Sequence, residues 1–218
     1  MKAFWLICSC LALLAQPLLG DTIYQTTAQG NEIVLQRDAI VVQQDSAFLV
    51  YKHFDLKERR VTVVRLNRGS LPMRVQASNA AGRRQILEVW KRFGYTASIT
   101  DQAGKITRVY DLYLDFYPPG GRGSLLESIA PRTNFPVQID NVGGDEFEFE
   151  KIDRVEIHGD RLTITLREGK TLSGKFLMPT NQPAEVRVLG ITDDYDPASE
   201  EVYDFSVPLS HLKLMTFD

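Results

Sequence analysis

A chain of 218 residues with 44% hydrophobic residues, 24% charged residues and a formal net charge of −3 has the make-up of one large or two small globular domains, not of a disordered segment. Two Cys and three His are too few for a zinc finger, an iron–sulfur cluster or a disulfide scaffold. Past the first twenty residues no apolar run is long enough to cross a bilayer as a helix.

Met1 and Lys2 precede an apolar stretch from Ala3 to Ala15, broken only by Ser9, and then come Gln16-Pro17-Leu18-Leu19-Gly20. A charged start, a short apolar core and a helix-breaking proline are the layout of a secretory signal peptide. Residues 1–20 are expected to be removed, with the cut after Gly20, or after Ala15 because Leu18 stands where a small residue is preferred. Cys8 and Cys10 both lie in this segment, so the mature chain is expected to have no thiol and no transmembrane helix. No Asn begins an Asn-x-Ser/Thr acceptor, and a cysteine-free exported domain points to a bacterial host and a periplasmic or secreted location.

From Thr22 to about Ala77, short runs of Val, Ile, Phe and Tyr alternate with turn residues. This spacing predicts strands over Glu32–Gln36, Ala39–Gln43, Ala47–Phe54 and Arg60–Leu66 in a sandwich or rolled sheet. Ser78 and Asn79 then cap a predicted amphipathic helix over 80–93, with Ile86, Val89, Trp90 and Phe93 on its apolar side and Gly94 as its stop. Tyr95–Thr100 and Lys105–Phe116 predict a long hairpin. Strict alternation would place Tyr110, Leu112, Leu114 and Phe116 on one face and Val109, Asp111, Tyr113, Asp115 and Tyr117 on the other. The Gly120–Gly123 stretch leads to Ser124, read as the cap of a short helix.

Asn141-Val142-Gly143-Gly144 reads as a boundary, giving a β-rich domain at 21–141 and a small barrel-like domain at 145–218. Within the second, Arg154–His158, Arg161–Arg167, Lys170–Phe176, Glu185–Leu189, Tyr203–Val207 and Leu212–Phe217 predict a meander. Ile152-x-x-Val155-x-Ile157 is echoed by Leu209-x-x-Leu212-x-Leu214, which suggests two equivalent strands. The fold class is therefore mainly β, with two antiparallel β units and one amphipathic helix.

The run from Leu162 through Gly169 and Gly174 to Phe176 resembles the first motif of Sm-like small barrels, in which one glycine makes a turn and the next lets a strand bend. The resemblance implies a small barrel. It does not carry RNA binding with it, because Leu177 to Gln182 lacks the Asp of that family's RNA-binding pair, and no nucleic acid partner is expected.

No residue pattern announces catalysis. His53, His158 and His211 stand far apart, Ser124 lacks the G-x-S-x-G context, and Glu146, Glu148 and Glu150 share one strand face instead of flanking a cleft. No cofactor, metal site or enzymatic activity is expected from these patterns. The charge distribution is uneven: residues 52–92 hold eleven Lys and Arg against three acidic residues (11 − 3 = +8), and residues 93–218 hold twelve against twenty-one (12 − 21 = −9). Such a split builds either a basic face or a self-neutralising interface. The expectation is a non-enzymatic binding or assembly module of the bacterial cell envelope. Arg83, Arg84, Lys91 and Arg92 are its candidate contacts for an anionic envelope polymer, and another envelope protein is the other candidate partner. The alternative is a Ca²⁺-dependent glycan binder or hydrolase built on the acidic loop at 193–201.

Overall fold

The computed structural model describes residues 20–44, 46–55, 57, 60–69, 72–118, 132–178, 185–196 and 203–218. The expected signal peptide before Gly20, the Gly120–Gly123 stretch with Ser124, and Glu200 and Glu201 lie outside them.

Strand-forming runs give β1 (Asp21–Thr26), β2 (Glu32–Gln44), β3 (Phe48–Asp55), β4 (Arg60–Asn67) and β5 (Met73–Gln76), which pair in the order β4-β3-β2-β1-β5. The Arg37-Asp38 pair, expected to be a turn between two strands, lies inside the single strand β2. Asp38 takes a positive φ of 51°, and the register steps from Asp21↔Ala39 to Ile23↔Gln36 around it. It is a β-bulge, since both sides of it keep pairing with β1.

The helix α1 (Ala80–Phe93) begins where its capping chemistry places it. The Asn79 side chain accepts from the Gly82 N–H at 2.8 Å, and the Gly94 N–H closes the last turn on the Trp90 carbonyl. Its buried stripe is Gly82, Ile86, Leu87 and Trp90, whereas Phe93 is exposed and Val89 only half-buried. The expected stripe is thus rotated by part of a turn, because α1 packs on a strand of the second sheet as well as beneath the first.

That second sheet contains β6 (Ala97–Asp101), β7 (Ile106–Tyr117), β8 (Asn134–Ile139), β9 (Gly143–Glu148), β10 (Ile152–His158), β11 (Arg161–Leu166), β12 (Thr171–Phe176), β13 (Glu185–Ile191), β14 (Phe205–Pro208) and β15 (Leu212–Phe217). Their order is β14-β13-β7-β6-β15-β10-β11-β12-β8-β9. Strands from both sides of Asn141–Gly144 therefore share one sheet, and that segment is the turn of the β8–β9 hairpin. The sheet curls on itself: Leu114 in β7 exchanges backbone hydrogen bonds of 2.8 and 2.7 Å with Arg132, just ahead of β8. Inside the curl, the rings of Phe135, Phe149 and Phe217 pack at centroid distances of 4.9 to 6.4 Å.

The sequence echo has a structural counterpart displaced by three residues. The 3-10 turns Phe149–Lys151 and Leu209–His211 lead into β10 and β15, which are antiparallel neighbours. The matched buried sets are Phe149, Ile152, Val155, Ile157 and Leu209, Leu212, Met215, Phe217. Gly169, with φ 89°, makes the β11–β12 turn. Gly174 answers to crowding: a Cβ there would stand 2.2 Å from the Gln138 carbonyl oxygen of β8.

Two outcomes follow from this packing. Trp90→Ala, at a fully buried position, should cost about 3 to 5 kcal/mol in chemical denaturation, and Arg84→Ala, exposed on α1, under about 0.5 kcal/mol. Residues 145–218 expressed alone lack β6, β7 and β8, partners of β15, β13 and β12. Their NMR spectrum should be collapsed, whereas a dispersed one would show that the missing strands are dispensable.

Candidate functional site

Strand β3 carries a lysine in the middle of an apolar run, and β7 carries Asp111, Tyr113, Asp115 and Tyr117 on one face. The fold brings the two together. Lys52 is 2% exposed, Asp111 2% and Asp115 0%. The Lys52 Nζ donates to the Tyr113 hydroxyl at 3.0 Å and stands 3.7 Å from the ring centroid of Tyr203. Tyr203, ahead of β14, donates its hydroxyl to Asp111 Oδ2 at 2.6 Å. Asp115 accepts the Phe116 N–H at 2.7 Å and the Tyr117 hydroxyl at 3.1 Å. Ile40, Ile86, Leu87, Trp90, Leu189 and Ile191 enclose the group.

A bulge in β7 aims these side chains. Asp111 has a φ of 49°, tolerated by Asp better than by most side chains, and two residues of β13 span three of β7 between Leu189↔Tyr113 and Ile191↔Tyr110. Alternation is therefore broken. Val109 packs with Leu112 and Leu114 in the core of the curled sheet, contrary to the strict alternation expected, while Asp111, Tyr113, Asp115 and Tyr117 keep the opposite face. Two glycines make room: a Cβ on Gly94 would lie 2.7 Å from the Asp111 Cα, and one on Gly190 2.3 Å from a Val109 methyl.

Burial dominates the electrostatics. It pushes the Lys52 ammonium down to about 7 against the pull of Asp111 and Asp115. It pushes the Asp111 carboxyl up to about 7 against the Tyr203 hydrogen bond and Lys52. Tyr113 and Tyr203 are raised well above the phenol range, chiefly by burial, and stay neutral. The cluster can hold a proton and fix two sheets against each other. Sealed as it is, it offers no solute access to the amine.

The four basic positions expected to act together all lie on α1 and differ in their surroundings. Arg84 and Arg92 are exposed, with Arg92 over the Phe93 ring at 5.3 Å. Arg83 is half-buried, and its guanidinium works against the upward shift that burial imposes on the Tyr195 phenol. Lys91 lies 3.9 Å from Glu88 and 5.3 Å from the Tyr110 ring centroid. Among the described residues no group of three or more His, Cys, Asp or Glu is placed to hold a metal ion. Asp101, Asp194 and Asp204 line a cavity of about 360 Å³, yet Asp204 is engaged by the Thr192 backbone N–H and hydroxyl, and Asp101 by the Lys105 N–H at 2.9 Å. Glu146 is bound by Arg132 and Asn134 at 3.0 and 2.9 Å on the surface.

A second feature was not legible in the sequence. Ile33, Val34 and Leu35 of β2 are 45%, 41% and 37% exposed. Strand β3 pairs with β2 only from Ile40 onward, so among the described residues the edge of β2 facing away from β1 has no strand partner over Glu32–Arg37. No family model, curated protein or solved structure matches the chain.

Removing one member of a sealed ionic group leaves the others uncompensated. Lys52→Met should cost about 3 to 5 kcal/mol, and Lys52→Met with Asp111→Asn should cost less than the sum of the two single changes. Additive losses in a denaturation cycle would mean the two groups do not interact.

Proposed function

We propose that the chain is an exported, non-enzymatic binding or assembly module of the bacterial cell envelope, which docks an extended strand of another envelope protein on the free edge of β2. The observation that carries this reading is the run Ile33-Val34-Leu35, exposed on a strand whose backbone edge there has no strand partner among the described residues. An unpaired edge offers a row of N–H and C=O groups, and a strand added to it gains main-chain hydrogen bonds while neighbouring apolar side chains set the fit. Natural edges are usually blunted by charge or proline; here charge appears at Glu32, Arg37 and Asp38, outside the apolar run. The signal-like segment before Asp21 supports export. The basic positions of α1 contribute less to this reading, since Lys91 and Arg83 are turned toward groups of their own chain.

Cosedimentation of the purified chain with the envelope fraction tests this reading. Ile33→Lys with Leu35→Lys should reduce binding at least about tenfold and leave the melting temperature unchanged, because both side chains are already solvent-exposed. Arg84→Gln with Arg92→Gln should leave binding intact. Binding that survives the β2 changes but is lost with the arginines, or that disappears as salt rises to the physiological range, would move the contact to an anionic polymer at α1 and overturn the strand-edge reading.

A further inference from the structure

The edge of β2 ahead of the Asp38 bulge is apolar and exposed on both sides. Ile33 and Leu35 stand on one face of the strand and Val34 on the other, and all three are exposed. The charge that opens the run is answered within the chain: Arg74 of β5 donates from Nε and Nη2 to the Glu32 carboxylate, each at 2.8 Å. Glu32 therefore does little to blunt the edge. Past the run, β2 takes up β3 only from Ile40↔Lys52, and β3 continues beside β4 over His53, Phe54 and Asp55. Among the described residues, Glu32–Arg37 is thus a proline-free strand with no partner on its outer edge.

A second copy fits this edge in one register. Two identical strands joined edge to edge in a continuous antiparallel sheet are related by a two-fold axis normal to the sheet, so each residue meets the one equally far beyond the axis. The axis residue meets itself. With the axis at Val34, Ile33 stands opposite Leu35 of the second copy, Val34 opposite Val34, Glu32 opposite Gln36 and Asn31 opposite Arg37. Apolar side chains meet apolar ones, and no like charges are opposed. An axis at Leu35 sets Ile33 against Arg37 and Glu32 against Asp38, which opposes two carboxylates; an axis at Ile33 sets Val34 against Glu32 and Leu35 against Asn31. Of the three, only the Val34 axis makes the run self-complementary.

We propose that the β2 edge pairs with its own copy: two chains join antiparallel about a two-fold axis at Val34, and the dimer withholds the edge from any other strand. The withholding rests on the strand-docking function proposed above, whereas the pairing stands on the register alone. Main-chain hydrogen bonds between the edges and the apolar pairs supply the attraction. Each cross-strand pair contributes little, so the dimer dissociates on dilution. A second copy is the one strand with a matching run that is present wherever the protein is.

Sedimentation equilibrium of the purified chain should show a mass that rises with concentration from one chain to two. Val34→Lys, which sets two ammonium groups face to face at an exposed position, should raise the dissociation constant at least about tenfold without lowering the melting temperature. Disulfide trapping reads the register in a chain carrying Cys8→Ser and Cys10→Ser. Val34→Cys alone, or an equal mixture of Ile33→Cys and Leu35→Cys chains, should oxidise to a covalent dimer, because hydrogen-bonded and non-hydrogen-bonded pairs alternate and one of these two lies at the closer kind. Ile33→Cys or Leu35→Cys by itself should not. A wild-type chain that stays monomeric, a dimer insensitive to Val34→Lys, or trapping in neither of the first two cases would overturn the pairing. The trapped dimer should fail to cosediment with the envelope fraction that binds the untrapped chain. Equal cosedimentation of both would place the envelope contact away from β2, overturning the withholding and the strand-docking function while the pairing stands.

Discussion

One ammonium group placed between two sheets constrains more of this molecule than any other interaction. Sealing a charge costs several kcal/mol per ion, so the joint is built to satisfy Lys52 and the two carboxylates together. Tyr113 receives its proton donor, the Tyr203 ring lies under it, and Tyr203 in turn donates to Asp111. Asp111 reaches that position only through a left-handed backbone, which needs the space left by Gly94 at the end of α1 and Gly190 in β13. Helix end, bulge and strand crossing are thus three consequences of one electrostatic demand.

What the sequence made legible was local. The ends of α1 follow from Asn79 and Gly94, and β15 from alternation over Leu212–Phe217, because caps and pleats are decided by near neighbours. The errors share a cause. Asp38 and Asp111 each adopt a positive φ inside a strand, and an aspartate that favours such a backbone reads as a turn, or goes unnoticed, until both flanks are known to keep their partners. In β2 this joined two expected strands into one. In β7 it moved Val109 to the face of Leu112. The mixed face of β7 was visible as alternating Asp and Tyr, but nothing local says that a lysine sixty residues earlier will cover it.

The Gly143-Gly144 pair was equally ambiguous. Glycines that could serve as a linker serve equally well in a tight hairpin, and here Gly143 has a φ of 141° in the β8–β9 connection. The distinction rests on long-range pairing: β15 fits between β6 and β10, so the curled sheet is complete only once β15 is in place. The displaced echo between β10 and β15 reflects the same assembly. Two adjacent strands, each entered through a 3-10 turn, present equivalent buried sets to a common interior, and the hydrophobic spacing alone left the register open by three residues.

The two sheets are unequal in what holds them. The curled sheet has a large aromatic interior and closes on itself, whereas the five-stranded sheet has a small interior and leans on the joint. Lys52 is paired across β3 with Ile40 of β2, and the unpaired edge of β2 begins on the far side of the Asp38 bulge. The edge and the residue paired with Lys52 are therefore parts of one continuous strand. A strand edge on a sheet without its own large core is a weak place to bind unless something else fixes the sheet, and the cluster at Lys52 is the group positioned to do so.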